Sequence, residues 1–384
     1  MSHNFTGVEI GSGTLKLVSV RGGTVRRSAF APLPDHLVAQ GSIAVPELLG
    51  DRLRELRRGL RGAPKPAALV LPAEAVISRV VTLPAMSARQ LDLNLPYEFK
   101  DYISREAGRY RYDYAVQRLL PGENGGPGEL ELFASAVPVK TIDLYAAVLQ
   151  RAGLALTVAI PPEMAFADLI RARADLPAEL AVVDIGYAST WVYIYRDGFY
   201  RAGKEIEIGS HNVDEAIAFS LGLDNHLAST YKEANQNNAL MLDSCLSVYG
   251  NLAVEVMKTI NYYGYEYRDN DLRQMVLCGG GARIAPLREA LQKNTGLQVL
   301  GAAQLLPPGS ETADADLILA AVGAALQQSG KGGHADGGHK KEQHRRQDDD
   351  ESHGAPAPVP AAGDAAAAGG ADRADADSAE VRLS

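Results

Sequence analysis

Apolar and polar positions along the 384-residue chain change period several times, and each change marks an element. The chain opens on a short apolar strand, an acidic residue, Ile-Gly and a hydroxyl-rich turn into a second strand, over residues 7–16. A Pro-rich connection follows, and Leu48, Leu49, Leu53, Leu56 and Leu60 then predict a helix over 45–60 by their spacing. Residues 67–71 and 76–83 read as strands bounded by Pro72 and Pro84. From Ser87 the pattern shifts. Leu91, Leu95, Phe99 and Ile103 form a helical stripe interrupted by Pro96, while Tyr110, Tyr112 and Tyr114 alternate as in a strand. A turn over 121–128, a return strand over 131–137 and a helix over 140–151, closed by Gly153, complete an αββα unit. That unit, 87–150, is small for an independent domain and reads as an insertion. The first lobe around it is predicted to span 1–86, continued by 151–178 and 312–328.

Residues 154–160 are apolar on both faces, as in a central strand, and Pro161-Pro162-Glu163 opens a helix through Ile170. A second lobe is predicted over 179–311. It holds a hairpin, an alternating strand at 204–208, a helix at 213–221 and a long helical pattern at 243–267. A strand at 275–278 then runs into three glycines and a helix started by Pro286. An Ala-rich helix over 316–326 precedes a composition of Gly, Ala, His, Asp and charged residues, which predicts a disordered tail over 329–384.

The opening hairpin occurs twice. Val182-Val183-Asp184-Ile185-Gly186-Tyr187-Ala188-Ser189-Thr190-Trp191 repeats its order of residue types, and Glu9 and Asp184 lie 175 positions apart (184 − 9). The same ungapped offset superposes Gly11 on Gly186, Thr14 on Ser189, Arg21 on Arg196 and Gly23 on Gly198. Agreement along both strands and into the next turn points to two lobes with one such hairpin each.

Composition narrows the function classes. Net charge is −9 and Lys and Arg are spread through the chain, so nucleic acid is excluded as the expected partner. From Lys331 onward 7 basic and 11 acidic residues give the tail −4, which leaves −5 for the rest. Cys245 and Cys278 lack metal-ligand spacing and predict a reducing compartment. No leader pattern is present, and no apolar run approaches the ~18 residues of a membrane span. His334, His339, His344 and His353 in the tail read as solvated.

The chemistry suggested by the hairpins is anion binding. Gly11, Gly13 and Gly186 let backbone N–H groups approach a ligand, while Ser12, Thr14, Ser189 and Thr190 add hydroxyl donors. Glu9 and Asp184, at the strand ends, are candidates to hold magnesium through water. Gly209-Ser210 at a helix start makes a further anion site, with His211 as a phosphate contact or a cap neighbour. Gly279, Gly280 and Gly281 either lie against a flat ligand such as a purine or form a tight turn. Glu163 either points into a cleft or places favourable charge at a helix N-terminus.

Taken in order, the two acidic Gly hairpins, the Gly-Ser turn, the triple-Gly loop and the Ala-Gly helix at Ala321-Val322-Gly323-Ala324 resemble the nucleotide-binding core of the actin, Hsp70 and sugar kinase superfamily. Residues 4–328 are most similar to the PilM family of type IV pilus assembly, and the insertion resembles the extra subdomain PilM shares with FtsA. The resemblance implies a two-lobed, actin-like (RNase H-like) ATPase fold of the α/β class, binding ATP and Mg2+. It places Glu9, Gly11, Ser12, Gly13, Thr14 and Lys16 on the first phosphate loop and Asp184, Gly186, Ser189 and Thr190 on the second. It assigns Glu255 and Lys258 to a helix that reaches the adenosine, Gly279 to Gly281 to the adenosine loop, and Glu163 to the orientation of an attacking water. It further implies a cytoplasmic scaffold at the inner face of the membrane, with slow hydrolysis at most. Its partners would be the N-terminal cytoplasmic peptide of a bitopic PilN, lying between the first lobe and the insertion, other pilus assembly components and copies of itself. A small-molecule kinase and an FtsA-like division protein stay open as alternatives.

Overall fold

The structure, a computed structural model, describes residues 4–34, 37–39, 41–103, 107–122, 128–310, 312–327 and 382–383. The predicted tail, 329–384, and its four histidines therefore lie outside the described residues except for 382–383. In chain order the elements are β1 (Asn4–Ile10), β2 (Thr14–Arg21), β3 (Thr24–Pro32), β4 (Val38–Ala39), β5 (Ser42–Ile43), α1 (Pro46–Gly59), β6 (Pro66–Val70) and β7 (Ile77–Pro84). Next come α2 (Ala88–Glu98), β8 (Tyr110–Leu120), β9 (Glu129–Pro138), α3 (Val139–Arg151), β10 (Ala155–Ile160), α4 (Pro162–Arg171), β11 (Glu179–Ile185), β12 (Thr190–Arg196) and β13 (Phe199–Ile206). The chain continues through α5 (His211–Leu221), α6 (Asn225–Ala234), α7 (Asp243–Glu266), β14 (Gln274–Cys278), α8 (Ala285–Thr295), β15 (Gln298–Leu300), α9 (Ala315–Leu326) and β16 (Arg382–Leu383).

The repeat read from sequence is a repeat of topology. One sheet has the order β16-β10-β6-β1-β2-β3 and the other β13-β12-β11-β14-β15, so β3-β2-β1-β6-β10 and β13-β12-β11-β14-β15 are the same arrangement built twice. Matching extends to single hydrogen bonds. Gly11 N–H donates to Thr14 O at 3.1 Å and Gly186 N–H to Ser189 O at 2.9 Å. The turn after each hairpin also agrees: Gly22 and Gly23 take φ of 59° and 76°, Asp197 and Gly198 take 55° and 75°. Two successive residues with positive φ suit the twist of a tight hairpin.

Helices α4 and α9 lie between the two sheets, and one core cluster runs from Phe5 and Val18 through Phe166 and Ile318 to Val182 and Val276. Small residues permit that closeness. A Cβ on Gly7 would overlap Ala321 O, and one on Gly323 would overlap Ala165 O. The far face of the first sheet is covered by α1 and α3, and that of the second by α5, α7 and α8.

The inserted unit differs from the expected αββα grouping of 87–150. Its sheet has the order β7-β9-β8, with β7 registered from Ile77↔Ala136 to Pro84↔Glu129. Leu91 and Leu95 of α2, with Phe99 just after it, cover it against Leu132, Ala134 and Ala136. Helix α3 instead packs Ile142, Tyr145, Val148 and Leu149 with Leu49 and Leu53 of α1 in the first-lobe core. The physical reason is demand for apolar cover: the far face of the first sheet is too wide for α1 alone, while α2 covers the small sheet. Helix α2 ends at Glu98 with Pro96 in its last turn, short of Ile103.

Candidate functional site

The two hairpin turns border one cavity of about 1320 Å³ between the lobes. Of the residues singled out from sequence, Glu9, Gly11, Ser12, Gly13, Thr14, Lys16, Asp184, Gly186, Ser189, Ser210 and Gly280 line it. The turns also touch each other, because a Cβ on Gly13 would lie 2.6 Å from the Tyr187 ring. The second turn is tied to the start of α5: Ser210 N–H donates to Gly186 O at 2.9 Å, and His211 N–H to Tyr187 O at 3.0 Å. Gly209 supports that contact, since a Cβ there would overlap Tyr187 O, and its N–H donates to Asn212 Oδ1 at 2.9 Å.

Charge at the cavity floor is arranged asymmetrically. Glu9 stands opposite Lys16 across β1 and β2 and forms an ion pair with it, both side chains being largely buried. The other oxygen, Glu9 Oε2, is buried without a partner. Burial raises the Glu9 carboxyl above its ordinary range, Lys16 pulls it back and Asp184 pushes it further up. Asp184 stands opposite Trp191 instead; burial raises its carboxyl too, against the pull of Lys16 and a hydrogen bond with Cys278. The Lys16 ammonium is opposed by burial, yet Glu9 and Asp184 raise it above the ordinary lysine value. The buried Lys16 thus pairs with the first-lobe carboxylate, while its charge also acts on the carboxylate of the second.

The remaining glycines act through packing. Gly279 has φ of 81°, and a Cβ there would overlap Ile185 O, while one on Gly281 would overlap Ile185 Cγ2. Their absence of side chains lets the end of β14 lie on the second hairpin, and Gly280 alone of the three reaches the cavity. Thr190 is buried and its hydroxyl donates to Ile208 O at 2.7 Å, which closes the turn rather than facing the cavity.

A comparison with known proteins identifies the chain. The family model for type IV pilus assembly protein PilM matches residues 7–305. The chain belongs to that family. Its fold is similar to that of a PilM-PilN type IV pilus biogenesis complex, with a TM-score of 0.70 and 24% identity over 84% of this chain and 98% of that one. It is also similar to the ethanolamine utilization protein EutJ from Carboxydothermus hydrogenoformans, with a TM-score of 0.53 and 16% identity over 84% of this chain and 89% of that one. The fold is thus the two-lobed, actin-like α/β fold, and the function is that of the pilus assembly family.

Within this PilM-family chain, some of the expected site residues lie outside the cavity lining. Glu255 and Lys258 are not among the cavity-lining residues. They pair with each other at 2.6 Å on α7, with Lys204 3.5 Å from Glu255, because α7 turns Tyr249, Leu252, Ala253 and Val256 into the second-lobe core and leaves 255 and 258 on another face. Helix α6 does border the cavity, through Asn225, His226, Thr230, Lys232 and Glu233. Lys232 donates to Asp214 at 2.7 Å and to Ser210 O at 3.2 Å, fastening α6 to the Gly-Ser turn. The sequence signal for α6 was its cap, Asp224, whose carboxylate accepts from Leu227 N–H at 2.9 Å.

Glu163 also falls elsewhere. It is 6% exposed, lies in the first turn of α4 and is absent from the cavity lining, though the adjacent Pro162 is present. Burial pushes its carboxyl up to about 7, and Oε2 has no partner. The Tyr195 hydroxyl donates to its backbone oxygen at 2.8 Å.

Arg283 is a lining residue that the triple-glycine reading passed over. It donates to Asp316 at 2.7 Å and to Asp314 at 2.8 Å, and its guanidinium lies 5.9 Å from the Phe30 ring. It therefore joins the loop after β14 to the start of α9 and to β3. Among the described residues, no group of three or more His, Cys, Asp and Glu could hold a metal.

Proposed function

We propose that this PilM-family protein is a nucleotide-responsive scaffold that binds magnesium-ATP in the interlobe cavity and docks a cytoplasmic peptide of a PilN-like membrane partner. The observation that carries the nucleotide reading is the pair of matched turns bordering one cavity, each with a carboxylate at its strand end. The remaining N–H groups and the hydroxyls of 12–14 and 187–189 would receive phosphates, those of Gly11 and Gly186 being used within the turns. Glu9, whose Oε2 lacks a partner, and Asp184 fit a magnesium ion held through water, which would neutralise phosphate charge. Gly280 and α6 would border the base. The burial of Glu163 outside the cavity lining favours holding nucleotide over hydrolysing it.

The partner reading draws on the PilM-PilN complex among the similar structures and on the edge of the first sheet. There β16 adds in parallel to β10, registered Val158↔Arg382 and Ala159↔Leu383, and lies beside β8 of the inserted unit. This edge accepts an extended segment by strand addition, and docking to a bitopic partner there would hold the protein at the inner face of the membrane. Thermal unfolding of the full chain with no ligand, magnesium-ATP and magnesium-ADP tests the first part. A ligand at about 100 times its Kd adds ~2.7 kcal/mol, and an ATP shift abolished by Asp184→Ala is the expected result. No shift at millimolar nucleotide would leave a nucleotide-free adaptor. Fluorescence anisotropy with the partner's N-terminal peptide tests the second part.

A further inference from the structure

The far end of the first lobe carries a second cavity, of about 500 Å³, lined by Arg54, Arg57, Arg58, Arg61 and Arg151 and by no carboxylate. It sits where α1 ends before β6 and α3 ends before β10, so it opens at the opposite end of the first sheet from the nucleotide cavity, which borders Val70 and Leu71. In a chain of net charge −9, five guanidiniums around one hollow call for a counter-charge.

Part of that charge is already used. Arg54 donates to Arg151 O at 2.8 Å and Arg57 to Ala152 O at 3.4 Å, satisfying carbonyls at the end of α3. Arg151 makes a two-point pair with Asp51, at 2.9 and 2.7 Å. The rest is open: Arg57 Nε is buried without a partner, and Arg57, Arg58 and Arg61 form no ion pair among the described residues. Arg58 and Arg61 are exposed at the mouth. Guanidiniums with spare donors match the oxygens of a phosphate group.

We propose that this cavity is a phosphate-binding site, taking either an anionic lipid headgroup at a membrane surface or a soluble phosphoester. The site is independent of the cleft reading. Flotation of the full chain with vesicles of phosphatidylcholine, with and without phosphatidylglycerol, provides one arm. Thermal unfolding in inorganic phosphate or glycerol phosphate, against chloride at equal ionic strength, provides the other. The test variant is Arg58→Glu/Arg61→Glu, whose exposed side chains form no side-chain hydrogen bond or ion pair among the described residues. The control is Arg26→Glu/Arg27→Glu, the same charge change at exposed positions of β3.

Binding to phosphatidylglycerol vesicles that falls about tenfold in the test variant and persists in the control supports the lipid source. A phosphate or glycerol phosphate shift lost in the test variant, without vesicle binding, supports the soluble source. Either no response in the native chain, or equal loss in both variants, overturns the site.

Discussion

The two lobes share strand order, turn hydrogen bonds and the carboxylate at the strand end, and differ in what faces that carboxylate. In the first lobe the cross-strand partner of Glu9 is Lys16; in the second, at the same offset, the partner of Asp184 is Trp191. The first lobe pairs its own buried acid with Lys16, whereas Asp184 has no ion pair among the described residues and feels only the field of Lys16 and a hydrogen bond with Cys278. Two copies of one hairpin are therefore not two equivalent half-sites. The contrast teaches that the first hairpin carries its counter-charge within itself, before any phosphate or metal arrives, and the second does not.

The sharpest way to break that contrast is Lys16→Met. Both carboxylates would stay buried without their cation, and a loss of ~3–5 kcal/mol in unfolding free energy at neutral pH is expected. The folded pKa of Lys16 is raised, so its contribution is fully present at neutral pH and fades only as pH climbs through that raised value. Glu9 and Asp184 are raised as well, so the variant should recover stability as acid protonates them. A neutral-pH melt like that of the native chain would show that Lys16 does not compensate the buried carboxylates.

Next in size is Glu163→Gln, which sets a buried acid lacking any cation against the Lys16-served pair. The native form holds its proton up to about 7, while the unfolded chain releases it near the ordinary carboxyl value of roughly 4.3. Native Glu163 thus binds more protons in that window, and stability falls as pH rises through it, by up to ~3 kcal/mol. The variant should lack this slope and unfold later at pH values above the window; chemical unfolding across pH in both proteins measures it. A slope retained in the variant would assign it to another group.

Gly279→Ala ranks third. With φ of 81° and no room beside Ile185 O, alanine should cost ~1–3 kcal/mol and loosen the triple-glycine loop against the second hairpin. The first-lobe counterpart is Gly13→Ala, which meets Tyr187 of the opposite lobe and should widen the cleft with little loss of stability. Denaturant melts with small-angle scattering separate the two outcomes. The smallest effect is expected from Arg382→Pro/Leu383→Pro, which removes backbone donors from β16. Amide exchange over 155–160 should quicken, and the partner peptide should bind a few-fold more tightly. Unchanged exchange would mean that β16 does not guard the edge.

Much of the site was legible because it is local. Residues 7–16 and 182–191 carry their strand, turn and acid within ten positions each, and the backbone alone brings Gly11 to Thr14 and Gly186 to Ser189. Residues whose roles depend on distant partners were not. Glu255 and Lys258 sit on a long helix whose apolar stripe has several possible orientations, and only packing against the second sheet decides which face meets the cavity. Arg283 gains its place through Asp314 and Asp316, more than thirty positions away. The insertion's boundary moved for the same reason: β7 and α3 have local patterns, but their sheet and helix partners lie far along the chain.

The sequence by itself determined the duplicated hairpin, the two-lobed α/β fold and the residues of the two turns that line the cavity, because periodicity, glycine turns and a constant offset are properties of neighbouring positions. Tertiary structure decided that Lys16 is buried against Glu9, that Glu163 is buried outside the cavity lining, that α6 borders the cavity and that five arginines converge at one end of the first sheet. Each of those depends on which surfaces are buried together, and burial is set by the whole chain at once.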